Sequence, residues 1–273
     1  MNTALHPDWL IPDWPAPAAV RAVFTSRAGG VSMQPYDSLN LGNHVGDVPE
    51  AVVANRTLLA RAIGTHGVFL NQVHGSAVLA LDAATPDGLP ADACVTAQPR
   101  IACTIMVADC LPVLLATQDG RAVAAAHAGW RGLAGVGGGC GQGVLEATHA
   151  SLRALAEPGL GADQILAWLG PCIGPSAFEV GPEVKAAFEA EKSQAGRFFV
   201  PAGAGKYLAN LPALARLRLQ ALGIRQIYGN DGSLPWCTVS NPSRFFSHRR
   251  DAGVHGNGLG TTGRMAACIW LDG

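Results

Sequence analysis

Three short segments carry residue types that do chemistry at neutral pH: Asn71-Gln72-Val73-His74-Gly75, Val107-Ala108-Asp109-Cys110-Leu111-Pro112 and Ala126-His127-Ala128-Gly129-Trp130-Arg131-Gly132. Each sets its Cys or His where an apolar run stops and the chain turns, a position from which a sheet presents side chains into a cleft. His74, Cys110 and His127 would make a three-donor metal set with an open fourth position, as in catalytic zinc sites. Thiolate with imidazole suits zinc or copper and excludes magnesium. The same residues allow a second chemistry, in which Cys110 is a nucleophile activated by His127 and backbone N–H groups of residues 129–132 receive an oxyanion. They also allow none, since a hydrogen-bonded surface histidine and a small buried thiol are common at strand ends. No HExxH, HxH or CxxC motif decides between these readings.

Anion-binding candidates lie elsewhere in the chain. Ser26-Arg27-Ala28-Gly29-Gly30 sets Arg27 on a flexible turn from which its guanidinium can fork onto phosphate. Arg249, in the charged cluster Ser247-His248-Arg249-Arg250-Asp251, is a second candidate, with a structural ion-pair network as the alternative. Asp109, beside Cys110, could orient a ligand, shuttle a proton or cap the adjoining turn. Asn40, Asn43 and His44 fall in a polar glycine loop and are explained by side-chain capping of turns. Gly137-Gly138-Gly139 lacks the GxxxxGK[ST] context of a phosphate loop and reads as a close helix start.

The elements that must position these residues are strands and helices in mixed order. Strands are predicted over 21–25, 68–72, 77–81, 101–108, 113–117, 122–127, 164–169, 224–228 and 265–271. Residues 84–92 read as a loop. Continuous apolarity in the middle of the chain implies strands buried on both faces, between layers. Helices are predicted after an Asp47/Glu50 capping box, and over 144–156, 182–191 and 208–222. Pro112 and Gly120 sit between strands too close together for crossover helices, so the sheet is not wholly parallel. The expectation is one α/β domain over 1–273, a layered mixed sheet with flanking helices.

Composition narrows the partners. With 49% hydrophobic and 14% charged residues the chain can bury a large core and is not disordered. Lys+Arg 19 against Asp+Glu 20 leaves no basic excess for a nucleic-acid backbone. No run approaches the length of a membrane span, and the opening MNTALHPDWLIPDWPAP has neither a basic n-region nor an apolar h-region. The expectations are a cytoplasmic monomer with small-molecule partners. Cys94, Cys103, Cys140, Cys172, Cys237 and Cys268 are expected to be free thiols, mostly buried.

Taken together, these segments resemble the YfiH, or laccase-domain (polyphenol-oxidase-like), family, which includes peptidoglycan editing factor. The motifs that carry the resemblance are TSRAGGVS from Thr25, SLNLGNHVGD from Ser38, QVHG at His74, ADACVT from Ala91, ADCLPVLL at Cys110, AAHAGWRGL at His127, GPCIGPSAFEVGPEV from Gly170, FFSHRRD from Phe245 and TGRMAACIWL from Thr262. The resemblance implies an α/β sandwich distantly related to Cys-His deamidase toxins, with zinc (Zn2+) on His74, Cys110 and His127. It implies purine nucleoside phosphorylase activity on purine nucleosides and orthophosphate, with adenosine deaminase and methylthioadenosine phosphorylase activities alongside. The family also carries a peptidoglycan-precursor editing hydrolase role and copper (Cu2+) polyphenol oxidation. Eight histidines without a His-x-His pair are too few for the several coppers of a true laccase. Two departures stand out: the insertion AGVHGNGLGT between Asp251 and Thr262, and Ser176-Ala177 where the family often carries cysteines.

Overall fold

The structure, a computed structural model, describes residues 5–136, 142–156, 160–252 and 260–273. Gly137-Gly138-Gly139, Cys140 and most of the insertion after Asp251 lie outside the described residues. In chain order the first elements are β1 (Val20–Phe24), α1 (Pro49–Ile63), β2 (His66–Phe69), β3 (Val78–Ala80), β4 (Ala93–Thr96), β5 (Ile101–Val107), β6 (Leu111–Thr117) and β7 (Val123–Ala128). Then come α2 (Trp130–Ala134), α3 (Val144–Leu155), β8 (Ile165–Leu169), β9 (Glu179–Val180), α4 (Pro182–Glu191), β10 (Phe199–Gly203), β11 (Lys206–Ala209), α5 (Leu211–Ala221), β12 (Gln226–Gly229), α6 (His248–Asp251) and β13 (Met265–Leu271).

Two mixed sheets lie face to face. One has the order β1-β13-β5-β2, the other β12-β8-β6-β7-β4-β3, and β10-β11-β9 forms a small third sheet. Alternate residues explain why β5 and β6 read as unbroken apolar runs. In β5, Cys103, Ile105 and Val107 point into the core between the sheets, while Ala102 and Met106 pack with Leu59 and Ile63 of α1. In β6, Leu114 and Ala116 face that same inter-sheet core, whereas Leu111, Val113 and Leu115 face the layer of α3, α4 and α5. The result is a helix–sheet–sheet–helix sandwich, the layered mixed α/β architecture expected from sequence.

The segments bearing His74 and Cys110 are crossings between the sheets. Between β2 and β3 the chain leaves the four-stranded sheet for the six-stranded one, and between β5 and β6 it does so again. Each crossing turns sharply on a non-glycine residue in the left-handed region, His74 at φ 62° and Asp109 at φ 93°. Such conformations cost energy and persist where surrounding contacts fix them.

Two local expectations are corrected. No capping box forms at α1: its N-cap is Val48, without a side-chain bond. Asp47 instead accepts from Ser32 Oγ at 2.6 Å and Asn40 Nδ2 at 2.9 Å, so tertiary partners outcompete the local motif. Strands β4, β9, β10 and β11 escaped the sequence reading, being short or, in FVPAG, interrupted by proline and glycine.

Candidate functional site

His74, Cys110 and His127 converge. One ligand atom from each lies within 4.8 Å of the others, the single such group of three or more among the described residues. His74 Nε2 is 3.8 Å from Cys110 Sγ, and the two imidazole rings meet edge-on with centroids 4.8 Å apart. His127 is buried, Cys110 half-buried and His74 exposed, so the group forms a floor open on one side. Register explains part of this: β6 and β7 are antiparallel with Pro112 opposite His127, which brings the Cys110 end of one strand to the histidine end of the next. A Cβ on Gly129 would stand 3.0 Å from His74 Cδ2 and 3.2 Å from Cys110 Sγ, so glycine there leaves the space over the donors clear.

Asp92, which the sequence reading passed over, organises this floor. It is fully buried at the start of β4. Its Oδ1 accepts from His127 Nδ1 at 2.8 Å and from the His74 backbone N–H at 2.9 Å. Its Oδ2 accepts from the N–H groups of Gly75 at 2.6 Å and Val73 at 3.2 Å. One carboxylate therefore holds the left-handed turn and fixes the His127 tautomer, leaving Nε2 as the donor toward the site. Burial pushes the Asp92 carboxyl up, but His127 and the Gly75 and His74 amides outweigh it and hold the group below its ordinary value. For His127, burial pulls down while the Cys110 thiolate and Asp92 raise it to about 9. For Cys110, burial pushes up while His127 and then His74 bring it down to about 6. Without metal the pair is thus thiolate and imidazolium near neutral pH.

These donors open into a cavity of about 320 Å³. Ile173, Phe178 and Trp130 give it apolar walls, while His44, His248, Arg249 and Arg264 line it as cationic or titratable groups. Gln72 also lines it and pairs twice with the Met106 backbone, N–H to Oε1 and Nε2 to O, both at 2.8 Å, which ties the His74 segment to the end of β5. Asp109 reaches the cavity wall with its carboxylate already engaged: it accepts from Thr238 Oγ1 at 2.5 Å, Ser247 Oγ at 3.1 Å and the Arg249 N–H at 2.6 Å. That is a capping arrangement, which fastens the Cys110 turn to the start of α6. Arg249 is exposed on the rim, its guanidinium donating to the Ala177 and Glu179 carbonyls.

Arg27 is not in this site. Its Nε donates to Asp37 O at 2.9 Å and Nη1 to Pro242 O at 3.0 Å, Nη2 pairs with Asp37 Oδ1 at 3.2 Å, and it lies 4.7 Å over the Phe246 ring. Its donors staple two loops together, and the depression it lines holds the Asp37 carboxylate, which repels an anion. The structure thus places Arg27 apart from the three donors, in a contact between loops. The described cysteines other than Cys110 are free and buried.

The donor set is one that could hold a metal ion. Bond lengths of about 2.3 Å to sulfur and 2.0 Å to nitrogen put the two ligand atoms about 3.5 Å apart in a tetrahedron, against the 3.8 Å seen between His74 and Cys110 and the 4.8 Å within which all three atoms lie. A family model described as multi-copper polyphenol oxidoreductase laccase matches residues 21–272. The chain belongs to that family. A Pseudomonas aeruginosa member named purine nucleoside phosphorylase is 48% identical over 265 residues, covering 97% of this chain and 98% of its own. An Escherichia coli member, purine nucleoside phosphorylase YfiH, is 46% identical over 264 residues, covering 96% and 98%. The crystal structure of a Neisseria meningitidis protein matches at TM-score 0.85 and 46% identity over 97% of this chain and 100% of that one. YlmD from Geobacillus stearothermophilus matches at TM-score 0.83 and 28% identity over 100% of both chains. The family's descriptive name speaks of several coppers, whereas the described residues of this member gather one three-donor group.

Proposed function

We propose that this chain is a zinc-dependent purine nucleoside phosphorylase acting on adenosine, inosine and related nucleosides. Adenosine deamination and methylthioadenosine phosphorolysis would be further activities of the same pocket. The observation that carries the reading is that a three-donor floor, aromatic walls and a cationic rim share one cavity. Its volume falls at the lower end of the range of about 300–1,000 Å³ typical of small-molecule sites. When bound, the metal would supply Lewis acidity at the open side of His74, Cys110 and His127. Asp92 keeps His127 oriented as a ligand. Trp130 and Phe178 offer flat apolar faces to a purine and exclude water from it. Arg249 adds positive charge at the mouth while its guanidinium donates to the Ala177 and Glu179 carbonyls. In phosphorolysis an orthophosphate oxygen bonds to C1′ while the C1′–N9 bond breaks, and the purine leaves with the bonding pair and takes up a proton.

The test is turnover of inosine and adenosine by zinc-replete protein, with and without orthophosphate. Hypoxanthine release that requires phosphate and yields ribose 1-phosphate supports the reading; release that ignores phosphate refutes it. Cys110→Ala should abolish both zinc binding and turnover.

The Cys110–His127 thiolate–imidazolium pair favours a second reading, amide hydrolysis of a peptidoglycan precursor (a UDP-linked amino-sugar peptide) by a thiolate nucleophile. One sulfur cannot ligate a metal and attack a carbonyl at once. Hydrolysis that survives complete metal removal would select this reading.

A further inference from the structure

Arg264, one residue before β13, lines the cavity together with the metal-binding donors. It has no ion-pair partner among the described residues, unlike Arg27, Arg56, Arg218 and Arg250. Its recorded side-chain bonds run from Nη1 to the Thr262 and Gly263 carbonyls, at 2.9 and 3.2 Å, so Nε and Nη2 are left without a protein acceptor among the described residues. Among its neighbours, the Cys110 sulfur and then the Asp109 carboxylate act on it most strongly through charge. The first belongs to the metal set and the second already accepts three hydrogen bonds. A half-buried guanidinium without an ion-pair partner of its own is costly unless a ligand supplies the charge.

The polar loop over residues 38–47, which sequence reading left as ordinary turn capping, holds this arginine in place. Asn40 Oδ1 accepts from both the Gly42 N–H and the Arg264 N–H at 2.9 Å, and Leu41 N–H donates to Arg264 O at 3.0 Å. Asn40 Nδ2 is anchored by Gly42 O and Asp47 Oδ2. A Cβ on Gly42 would lie 2.7 Å from Arg264 Cγ and 3.1 Å from its Cβ, so only glycine leaves room for the arginine stem along the loop.

We propose that Arg264 binds the phosphate oxyanion used in this pocket, and that Gly42 and Asn40 are positioning residues that seat it. The ligand is a tetrahedral phosphate group, and it is orthophosphate if the phosphorolysis reading on which that assignment rests is right. The guanidinium's free edge matches two phosphate oxygens, a geometry that a lysine cannot reproduce.

The test is calorimetric titration of orthophosphate, and separately of uridine diphosphate, into the zinc-loaded protein and its variants, with zinc content and thermal stability checked on each preparation. Arg264→Met should weaken orthophosphate binding about 10- to 100-fold, the loss expected for a charge-assisted bidentate contact. Arg264→Lys should recover only part of it. Gly42→Ala, which keeps the arginine but displaces its stem, should weaken phosphate binding by itself. The double variant should be no weaker than Arg264→Met, because the loop acts through the arginine. Unchanged orthophosphate affinity in folded, zinc-loaded Arg264→Met overturns the assignment, and additive losses in the double variant overturn the positioning role of the loop. Arg264-dependent binding of uridine diphosphate with none of orthophosphate keeps the phosphate site and removes phosphorolysis.

Discussion

Replacing Asp92 with asparagine tests whether one carboxylate holds the floor of the site together. The buried carboxylate accepts four hydrogen bonds, two at each oxygen. An amide of the same shape keeps one acceptor and turns the other into a donor. If its oxygen stays toward His127, the Gly75 and Val73 N–H groups lose their acceptor and the left-handed turn at His74 loosens. If it flips, the His127 ring must change tautomer, which places a proton on the nitrogen needed for the metal. Hydrogen bonds to charged groups contribute about 1.5–3 kcal/mol each. Two are lost, one of them the long 3.2 Å contact to Val73 in the first case. After relaxation, a destabilisation of about 2–4 kcal/mol is expected, a large share of the roughly 5–15 kcal/mol that holds a domain together. Zinc affinity should fall about 10- to 100-fold, the usual effect of losing a carboxylate behind a ligating histidine. Urea unfolding of the metal-free protein gives the first quantity, and competition against a chromophoric chelator gives the second. Asp92→Asn with stability within about 0.5 kcal/mol of wild type and zinc affinity within about threefold would refute the reasoning.

The pH dependence of metal binding follows from the Cys110–His127 pair. Between about 6 and about 9 the thiol is ionised and the imidazole protonated. Ligation needs the thiolate and the neutral ring, so one proton must leave this pair. The apparent zinc Kd should fall about tenfold per pH unit across that window, level off above it, and change more steeply below it, where the thiol also holds a proton. A buffer-corrected Kd that stays flat between about pH 6.5 and 8.5 contradicts those shifts. Arg27→Ala should lower the melting temperature by loosening two loops while leaving the KM for orthophosphate within about twofold; a large rise in that KM would identify it as a phosphate ligand. Gly132→Ala should destabilise by about 1–3 kcal/mol, because its Cβ would meet the Gly75 carbonyl oxygen at 2.5 Å. Unfolding measurements within error of wild type would show that the α2–turn contact is not tight.

What could be read from the sequence is what depends on local pattern. Apolar runs ending at His74, Cys110 and His127 marked the three residues that converge, and the continuous apolarity of β5 and β6 pointed to layered sheets. What could not be read depends on partners far along the chain. Asp92 ends a stretch that reads as loop, and its significance lies in amides 17–19 residues before it and a histidine 35 residues after. Arg264 looks like any charge flanking a strand until β13 is seen paired between β1 and β5, which brings its start beside the loop at Asn40. Arg27 had the better local signature, a glycine-flanked turn after a strand, and was captured by Asp37 ten residues later. In each case tertiary partners decided which of several similar polar residues met the cavity.

The two turns that cross between the sheets divide the site into parts with unequal freedom to change. His74 and Asp109 ride on left-handed backbone pinned by buried bonds, so a substitution on the floor disturbs the sandwich itself. His44, His248 and Arg249, by contrast, stand exposed at the mouth, where a new side chain disturbs little packing. A lineage built on this scaffold can therefore explore new substrates by rewriting the mouth while inheriting the floor intact.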